Sequence, residues 1–482
     1  MVWLFSIKKR IQAILSVCLV ISLSSYGKIY GQAPEKLPNI IIIFIDDMAY
    51  GDVGFNNPGI GYTPNFQFLA EHGVVLENFY VSQPVCTASR TSLLTGCYAN
   101  RLGMGGAIDH ASKIGINPDE ITMAEMLKTK GYRTAAIGKW HLGFQKPFLP
   151  SNQGFDYFFG IPYSADMWPY HPERPEYYPP LPLYENETIV DTIEEQSWFT
   201  ETFTKKSIEF VTNKDHRPFF LYLAHPMPHV PLFVSEKFKG RTGKGLYADV
   251  IHEIDASLGT LISILQEKML EENTLLIVTS DNGPWLSYGN HAGTTNGLRE
   301  GKGTTWEGGI RTPFVAYWKG TLPENKRIKP YAMSIDILPT IAALTGTSLP
   351  KNKIDGENIL SLIMAKNNNP VDRPLFFYYH KNDLEAMRWQ KWKLYFPHSY
   401  RTMDGLKSGM DGQPGQYKMA IMEKSELYDL DSDPFEKENI IKKHPDIFRQ
   451  MQIMADKIRL ELGDDLTNIK GYANRKPGII EN

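Results

Sequence analysis

Asn39-Ile40-Ile41-Ile42-Ile43-Phe44-Ile45-Asp46-Asp47 is the stretch whose reading decides the fold. Asn39 to Phe44 reads as a strand, apolar on both faces from Ile40 onward. Such a run is buried on two sides, as in a parallel sheet covered by helices. Two carboxylates follow it at once. Asp46-Asp47 at the end of a buried strand is costly unless a cation pairs with both. Adjacent aspartates also serve as an ordinary turn or helix cap, so the pair alone leaves both readings open.

Moving outward, strands and helices alternate. Helices are expected over 63–73 (Thr63 as N-cap, Pro64 at N1, Gly73 as stop), 89–95, 122–130, 200–212 and 248–271. Strands are expected over 74–81, 132–138, 218–224 and 274–279. The last runs into Ser280-Asp281-Asn282-Gly283. This alternation argues for an α/β fold with a doubly wound sheet. Ligands of such folds collect beyond the carboxyl ends of the strands. The polar clusters at 46–47, 139–141 and 281–282 all follow strands. Residues 166–191 are rich in Pro and Tyr and read as an ordered insertion or lid. Short antiparallel strands over 374–380, 386–396 and 426–430, with a helix over 444–462, indicate a smaller C-terminal α+β domain. The expected division is 32–370 for the larger domain and 371–482 for the smaller.

The chain has 482 residues, 42% hydrophobic and 22% charged, with a formal net charge of −3. That balance provides no basic field for nucleic acid. At the N-terminus, Lys8-Lys9-Arg10 precede an apolar stretch from Ile11 to Leu23, too short to span a bilayer, and then small and polar residues. Residues 1–31 therefore read as a secretory signal peptide, with a short hydrophobic helix as the alternative. Export to the periplasm is favoured over secretion, and no transmembrane segment is expected in the mature chain. Beyond the leader only Cys86 and Cys97 remain, which is not a disulfide framework, although a single bridge between them is possible on count alone.

Cys86 lies in Pro84-Val85-Cys86-Thr87-Ala88-Ser89-Arg90. Cys86 and Arg90 share a helix face, beside a helix start that carries partial positive charge. Other basic groups sit in Gly138-Lys139-Trp140-His141-Leu142-Gly143, in His225-Pro226-Met227-Pro228-His229 and in the glycine-rich Gly301 to Gly309 loop around Lys302. Each alone reads equally as a satisfied loop residue. Together with Asp46, Asp47, Asp281 and Asn282 they describe an anion site beside a hard, oxygen-liganded cation, Ca²⁺ or Mg²⁺ rather than Zn²⁺.

With these motifs in this order from about Pro38 to about Asn439, joined by Gly154-Phe155-Asp156, Ile161-Pro162-Tyr163-Ser164 and Glu426 to Leu430 before Asp433-Pro434, the chain resembles the type I sulfatases of the alkaline phosphatase-like superfamily, of the arylsulfatase A type. The resemblance implies a large mixed sheet flanked by helices. It implies that a formylglycine-generating enzyme oxidises Cys86 to formylglycine, whose hydrate is the nucleophile. It implies Ca²⁺ held by Asp46, Asp47, Asp281, Asn282 and the modified Cys86. Arg90 would orient the hydrate, with Asp281 as base for the attacking hydroxyl. Lys139, His141, Ser164, His229 and Lys302 would contact the sulfate. His229 with Lys302 would protonate the leaving alcohol, and His141 would take the second proton of the hydrate. Ala88 stands where the family more often has proline, and Cys97 where many relatives carry a basic residue. The expected substrate is a sulfated carbohydrate, with sulfated galactose or N-acetylgalactosamine leading. Trp168, Tyr170, His171, Tyr177, Tyr178, His380, Arg388 and His398 are expected to shape the sugar pocket. A phosphate or phosphonate monoester hydrolase, or a silent sulfoglycan-binding protein, are the alternatives. Oligomeric state is not legible.

Overall fold

The structure, a computed structural model, describes residues 36–366 and 372–481. The expected leader over 1–31 and the expected domain boundary at 370 lie outside the described residues.

The opening run forms β1 (Asn39–Ile45), every residue of it buried. The ten-stranded sheet around it comprises, in chain order after β1, β2 (Val74–Leu76), β3 (Arg133–Lys139), β4 (Tyr157–Ile161), β5 (Leu181–Glu185), β6 (Thr188–Ile193), β7 (Phe219–His225), β8 (Thr274–Ser280), β9 (Phe314–Tyr317) and β10 (Lys326–Ile328). Their spatial order is β10-β2-β9-β8-β1-β7-β3-β4-β5-β6. The block β8-β1-β7-β3-β4 is parallel, and antiparallel pairs begin at β9 on one side and β5 on the other.

Helices cover both faces, which is why β1 is apolar without alternation. Ile41, Ile43 and Ile45 share a core with α1 (Pro64–Glu71), α4 (Phe199–Val211) and α5 (Leu246–Glu267). Phe44 points the other way, under the Arg90 guanidinium of α2 (Cys86–Thr95). There α2 packs with α3 (Met123–Lys128) and α6 (Ile337–Thr345). The fold is thus α/β and doubly wound on a mixed sheet.

Three expected elements differ. The 74–81 stretch is two strands: β2 joins the large sheet, while Phe79–Tyr80 pairs with Arg311–Thr312 and Ala332–Met333. Asn78, whose side chain donates to Lys329 O, turns the chain between them. The 166–191 insertion is a loop only in its first half; its second half is the β5–β6 hairpin, which extends the sheet around Asn186 at φ 55°. The 386–396 strand is two, Asp383–Trp389 and Trp392–Tyr395, because Gln390 turns back at φ 54°.

Those two strands lie between Leu375–Tyr379 and Glu426–Asp429 in a four-stranded antiparallel sheet. Leu375, Phe377 and Leu394 of that sheet share a second core with Met451 and Leu462 of α7 (Pro445–Leu462) and with Trp306. The chain does not end with α7. The tail returns to the α2–α3 region, where Gly478–Ile479 pairs with Ile114–Gly115. Arg475 binds Glu120 at 2.6 Å and donates to Cys97 Sγ at 3.4 Å. Cys86 and Cys97 are both free, so the bridge between them is absent.

Candidate active site

The parallel register brings the strand ends to one level. Ile45 of β1 faces Ser280 of β8 and His225 of β7, and Lys139 of β3 faces Ile161 of β4. The residues just past those ends therefore converge: Asp46-Asp47, Asp281-Asn282, His141, His229 and Ser164. Gly283 lets the 301–309 loop lie across this edge, since a Cβ there would fall 1.8 Å from Gly308 O. Asp47 and His141 have φ of 61° and 62°, a backbone state that costs non-glycine residues on the order of 1–3 kcal/mol and gathers at functional sites.

Cys86 is the first residue of α2, three residues earlier than its pattern suggests, because Val85 is the extended N-cap. Its thiol donates to Asp46 Oδ1 at 3.4 Å and receives Lys302 Nζ at 3.6 Å. Burial first, and then the Asp46 carboxylate, push this thiol up, so it is un-ionised at neutral pH. An un-ionised thiol is a poor nucleophile.

Around it stand three carboxylates and three permanent cations. Arg90 Nη2 lies 2.8 Å from Asp281 Oδ2 and 3.4 Å from Asp46 Oδ1. Lys139 Nζ lies 2.5 Å from Asp46 Oδ2 and 3.0 Å from Ser164 Oγ. Lys302 Nζ lies 2.7 Å from Asp47 Oδ1. Burial would raise the Asp46 carboxyl, but Lys139, His229, Arg90 and Lys302 hold it well below the usual range. Asp281 is pushed up to about 7 by burial and by the neighbouring Asp46 and Asp47, against the pull of Arg90. Burial opposes charge on Lys302, but Asp47 overrides it and keeps the ammonium protonated.

The two histidines have fixed tautomers in their neutral forms. His141 Nε2 donates to Ile108 O at 2.7 Å, leaving Nδ1 buried with no partner. Burial and Lys139 hold His141 well below its ordinary range, so it is neutral. His229 Nδ1 donates to Val230 O at 2.6 Å, and its Nε2 lies 3.7 Å from Asp47 Oδ2.

The donor set fits a hard divalent cation. Asp46, Asp47, Cys86 and His229 offer ligand atoms within 4.8 Å of one another. Asn282 donates through Nδ2 to Asp47 Oδ1, while its Oδ1 is buried with no partner. The unpaired Asn282 oxygen and the raised Asp281 carboxyl are both groups that a cation would satisfy.

A cavity of about 300 Å³ opens above Cys86, walled by His141, Ser164, Asp166, His229 and Lys302. Of the expected sugar-pocket residues, His171 and Tyr178 line it. Trp168, Tyr170, Tyr177, His380, Arg388 and His398 do not. Arg388 instead donates to the Tyr80 hydroxyl and borders a separate hollow beside Tyr331, while His398 stacks on Tyr395.

Sequence reasoning missed Asp166, Trp285 and Arg401, which also line the cavity. Asp166 is anchored by His171 at 3.5 Å and has a buried Oδ1 with no partner. Its position two residues after Ser164 was the available signal. Arg401 holds the Lys302 carbonyl through Nε at 3.0 Å and through Nη2. Nothing in the local sequence of either residue reveals that contact.

The family model described as sulfatase matches residues 38–347, and that described as the C-terminal region of aryl-sulfatase matches 371–476. Arylsulfatase A of Homo sapiens is 36% identical over 439 residues, covering 85% of this chain and 85% of that protein. N-acetylgalactosamine-6-sulfatase of Canis lupus familiaris is 33% identical over 420 residues, covering 83% and 79%. Among solved structures, Ps i-CgsB in complex with k-i-k-neocarrahexaose superposes with a TM-score of 0.75 at 26% identity, covering 93% of this chain and 95% of that one. With family, fold and strand-end cluster in agreement, the chain belongs to the sulfatase family of sulfuric ester hydrolases.

Proposed function

We propose that the protein is an exported sulfatase that removes sulfate from a carbohydrate, with Cys86 matured to formylglycine and Ca²⁺ held by Asp46, Asp47, Asp281 and Asn282. The observation that carries this is Cys86 itself, un-ionised as a thiol yet placed at the floor of a cation-lined cavity. The formylglycine hydrate would supply a hydroxyl nucleophile there, and Ca²⁺ would supply positive charge to the sulfate oxygens.

The chain's own residues supply the rest. Lys139 and Lys302 present ammonium groups to the sulfate, with Ser164 as a further hydrogen-bond donor. Arg90 touches Asp46 and Asp281 rather than Cys86, so it positions those carboxylates beneath residue 86. His229 turns Nε2 toward the cavity and, when protonated, can deliver that proton to the leaving alcohol. His141 keeps Nδ1 free to accept one. The ionised Asp166, with one carboxylate oxygen unpaired, accepts a hydrogen bond from a substrate hydroxyl near the sulfate. The names of the N-acetylgalactosamine-6-sulfatase and the neocarrahexaose complex support a sugar substrate, and sulfated galactose or N-acetylgalactosamine remains the leading choice.

The test uses full-length matured protein, with peptide mass spectrometry confirming the aldehyde at residue 86. Sulfate release is followed on 3-, 4- and 6-sulfated galactose and N-acetylgalactosamine, an aryl sulfate and an aryl phosphate. Release from at least one sugar sulfate supports the reading. A faster rate on aryl phosphate than on every sulfate would favour a phosphohydrolase. No release at all from matured enzyme would leave only a binding role. Asp166→Asn is expected to lower kcat/KM on the sugar sulfate by about 10- to 100-fold, the scale of a hydrogen bond to a charged group, and to lower aryl sulfate turnover much less. Equal losses on both would remove Asp166 from sugar recognition.

A further inference from the structure

His398 carries a question that its surroundings answer. Its Nδ1 donates to Phe396 O at 2.7 Å, so in the neutral ring Nε2 holds a bare lone pair. That Nε2 is buried with no hydrogen-bond partner and lies 3.7 Å from Glu385 Oε2. Glu385 is also buried. Its Oε2 accepts from the Thr305 hydroxyl at 2.9 Å, and its Oε1 has no partner. Burial pushes the Glu385 carboxyl up to about 8, and the His398 lone pair can face it in a dry site only with a proton or another cation between them.

Two further groups reach Glu385. His380 and Asp383, at the tip of the hairpin joining the first two strands of the C-terminal sheet, offer ligand atoms within 4.8 Å of each other and of Glu385. The strand pairing is irregular between Phe377 and Tyr378, opposite Glu385. We propose that His380, Asp383 and Glu385 form a second divalent-cation site, which His398 completes from beside Glu385, suited to a transition metal such as Zn²⁺. The inference does not rest on the proposed sulfatase chemistry.

Several observations favour a metal over a shared proton. A proton needs only Glu385 and His398, whereas His380 and Asp383 also converge on Glu385; with His398 the donors are two imidazoles and two carboxylates, a set that suits Zn²⁺ and not Ca²⁺. Ligand atoms about 3.4 Å apart are what tetrahedral coordination at about 2.1 Å requires, close to the His398–Glu385 separation. A ligating histidine commonly donates its other N–H to a backbone carbonyl, as His398 does to Phe396. Thr305 plays the equivalent part for Glu385 and lies on the loop that carries Lys302. A metal here would tie the C-terminal sheet to the lysine loop.

The experiment is equilibrium dialysis of the full chain, saturated with Ca²⁺, against micromolar Zn²⁺, with metal content read by mass spectrometry. One equivalent of Zn²⁺ is expected in the parent protein. His398→Ala and Glu385→Gln should lose it. His380→Ala, at the exposed hairpin tip where among the described residues only the Tyr379 ring packs on it, should weaken it by at least tenfold. Asp46→Asn should retain it. With Co²⁺ in place of Zn²⁺, visible absorption bands of a four- or five-coordinate ion should appear in the parent and vanish in His380→Ala. No bound Zn²⁺ in the parent overturns the proposal. So does Zn²⁺ bound equally by parent and His380→Ala, or Zn²⁺ lost on Asp46→Asn, which would place it in the catalytic cluster.

Discussion

A thiol can be close to a lysine and still be inert, and Cys86 shows why. Lys302 lies 3.6 Å from its sulfur, but burial and Asp46 outweigh that cation. Protein that carries Cys86 as a free thiol should therefore resist iodoacetamide at pH 8 in the native state and react only on unfolding; alkylation within minutes in the folded protein would contradict the described environment. His225 provides a second test. Burial lowers it from 6.5 to about 4, so the folded chain keeps it neutral while the unfolded chain takes up a proton below about 6.5. The stability it contributes is full above that pH and is lost as pH falls toward about 4, on the order of 3 kcal/mol in all. His225→Gln should shrink the difference in urea stability between pH 7 and pH 4.5 by about 2 kcal/mol. An unchanged difference would show that other groups dominate the acid limb. The residues legible in sequence were those whose chemistry is announced by position, such as Asp46-Asp47 and Asp281-Asn282 at strand ends. Asp166 and Arg401 were not, because their meaning comes from what they face.

At the scale of elements, α1 separates local grammar from tertiary context. Thr63-Pro64 marks its start correctly, yet the Thr63 side chain makes no capping bond. Its Oγ1 accepts from Gly54 N at 2.9 Å instead. The orphan N–H groups of Asn65 and Phe66 are taken by Asp255 of α5, each at 2.9 Å through Oδ1. A cap delivered from a helix far along the chain leaves no trace in the sequence beside the capped residue. Asp255→Ala should therefore cost about 2 kcal/mol, the upper end for a helix cap, whereas Thr63→Ala should act mainly on the Gly54 turn. Denaturant titration of both variants checks this, and a negligible loss for Asp255→Ala would refute it. The same limit explains the hairpin β5–β6. Its residues read as a proline- and tyrosine-rich insertion, and only pairing with β4 makes them sheet.

For the whole molecule, alternation of strands and helices was enough to read the α/β class, because each buried strand and each amphipathic helix declares its own burial. The return of the C-terminal tail was not readable, since Gly478–Ile479 is too short to carry a pattern. That tail clasps the stretch from Cys97 to Glu120: Arg475 N donates to Arg101 O, Asn117 Nδ2 to Lys476 O, and Ile480 N to Lys113 O. Removing residues 473–482 should lower the melting temperature and expose Cys97, now 1% accessible, to thiol reagents. Continued protection of Cys97 in the shortened chain would mean that the clasp is dispensable. The clasp also sets a timetable. Residues 101–117, which follow α2, are closed by residues 475–480, so this part of the molecule stays open until that distant segment has been synthesised. On the proposed reading, the oxidising enzyme can reach residue 86 while that segment is still being made, and the chain lacking residues 473–482 should be matured at least as fully as the 482-residue chain.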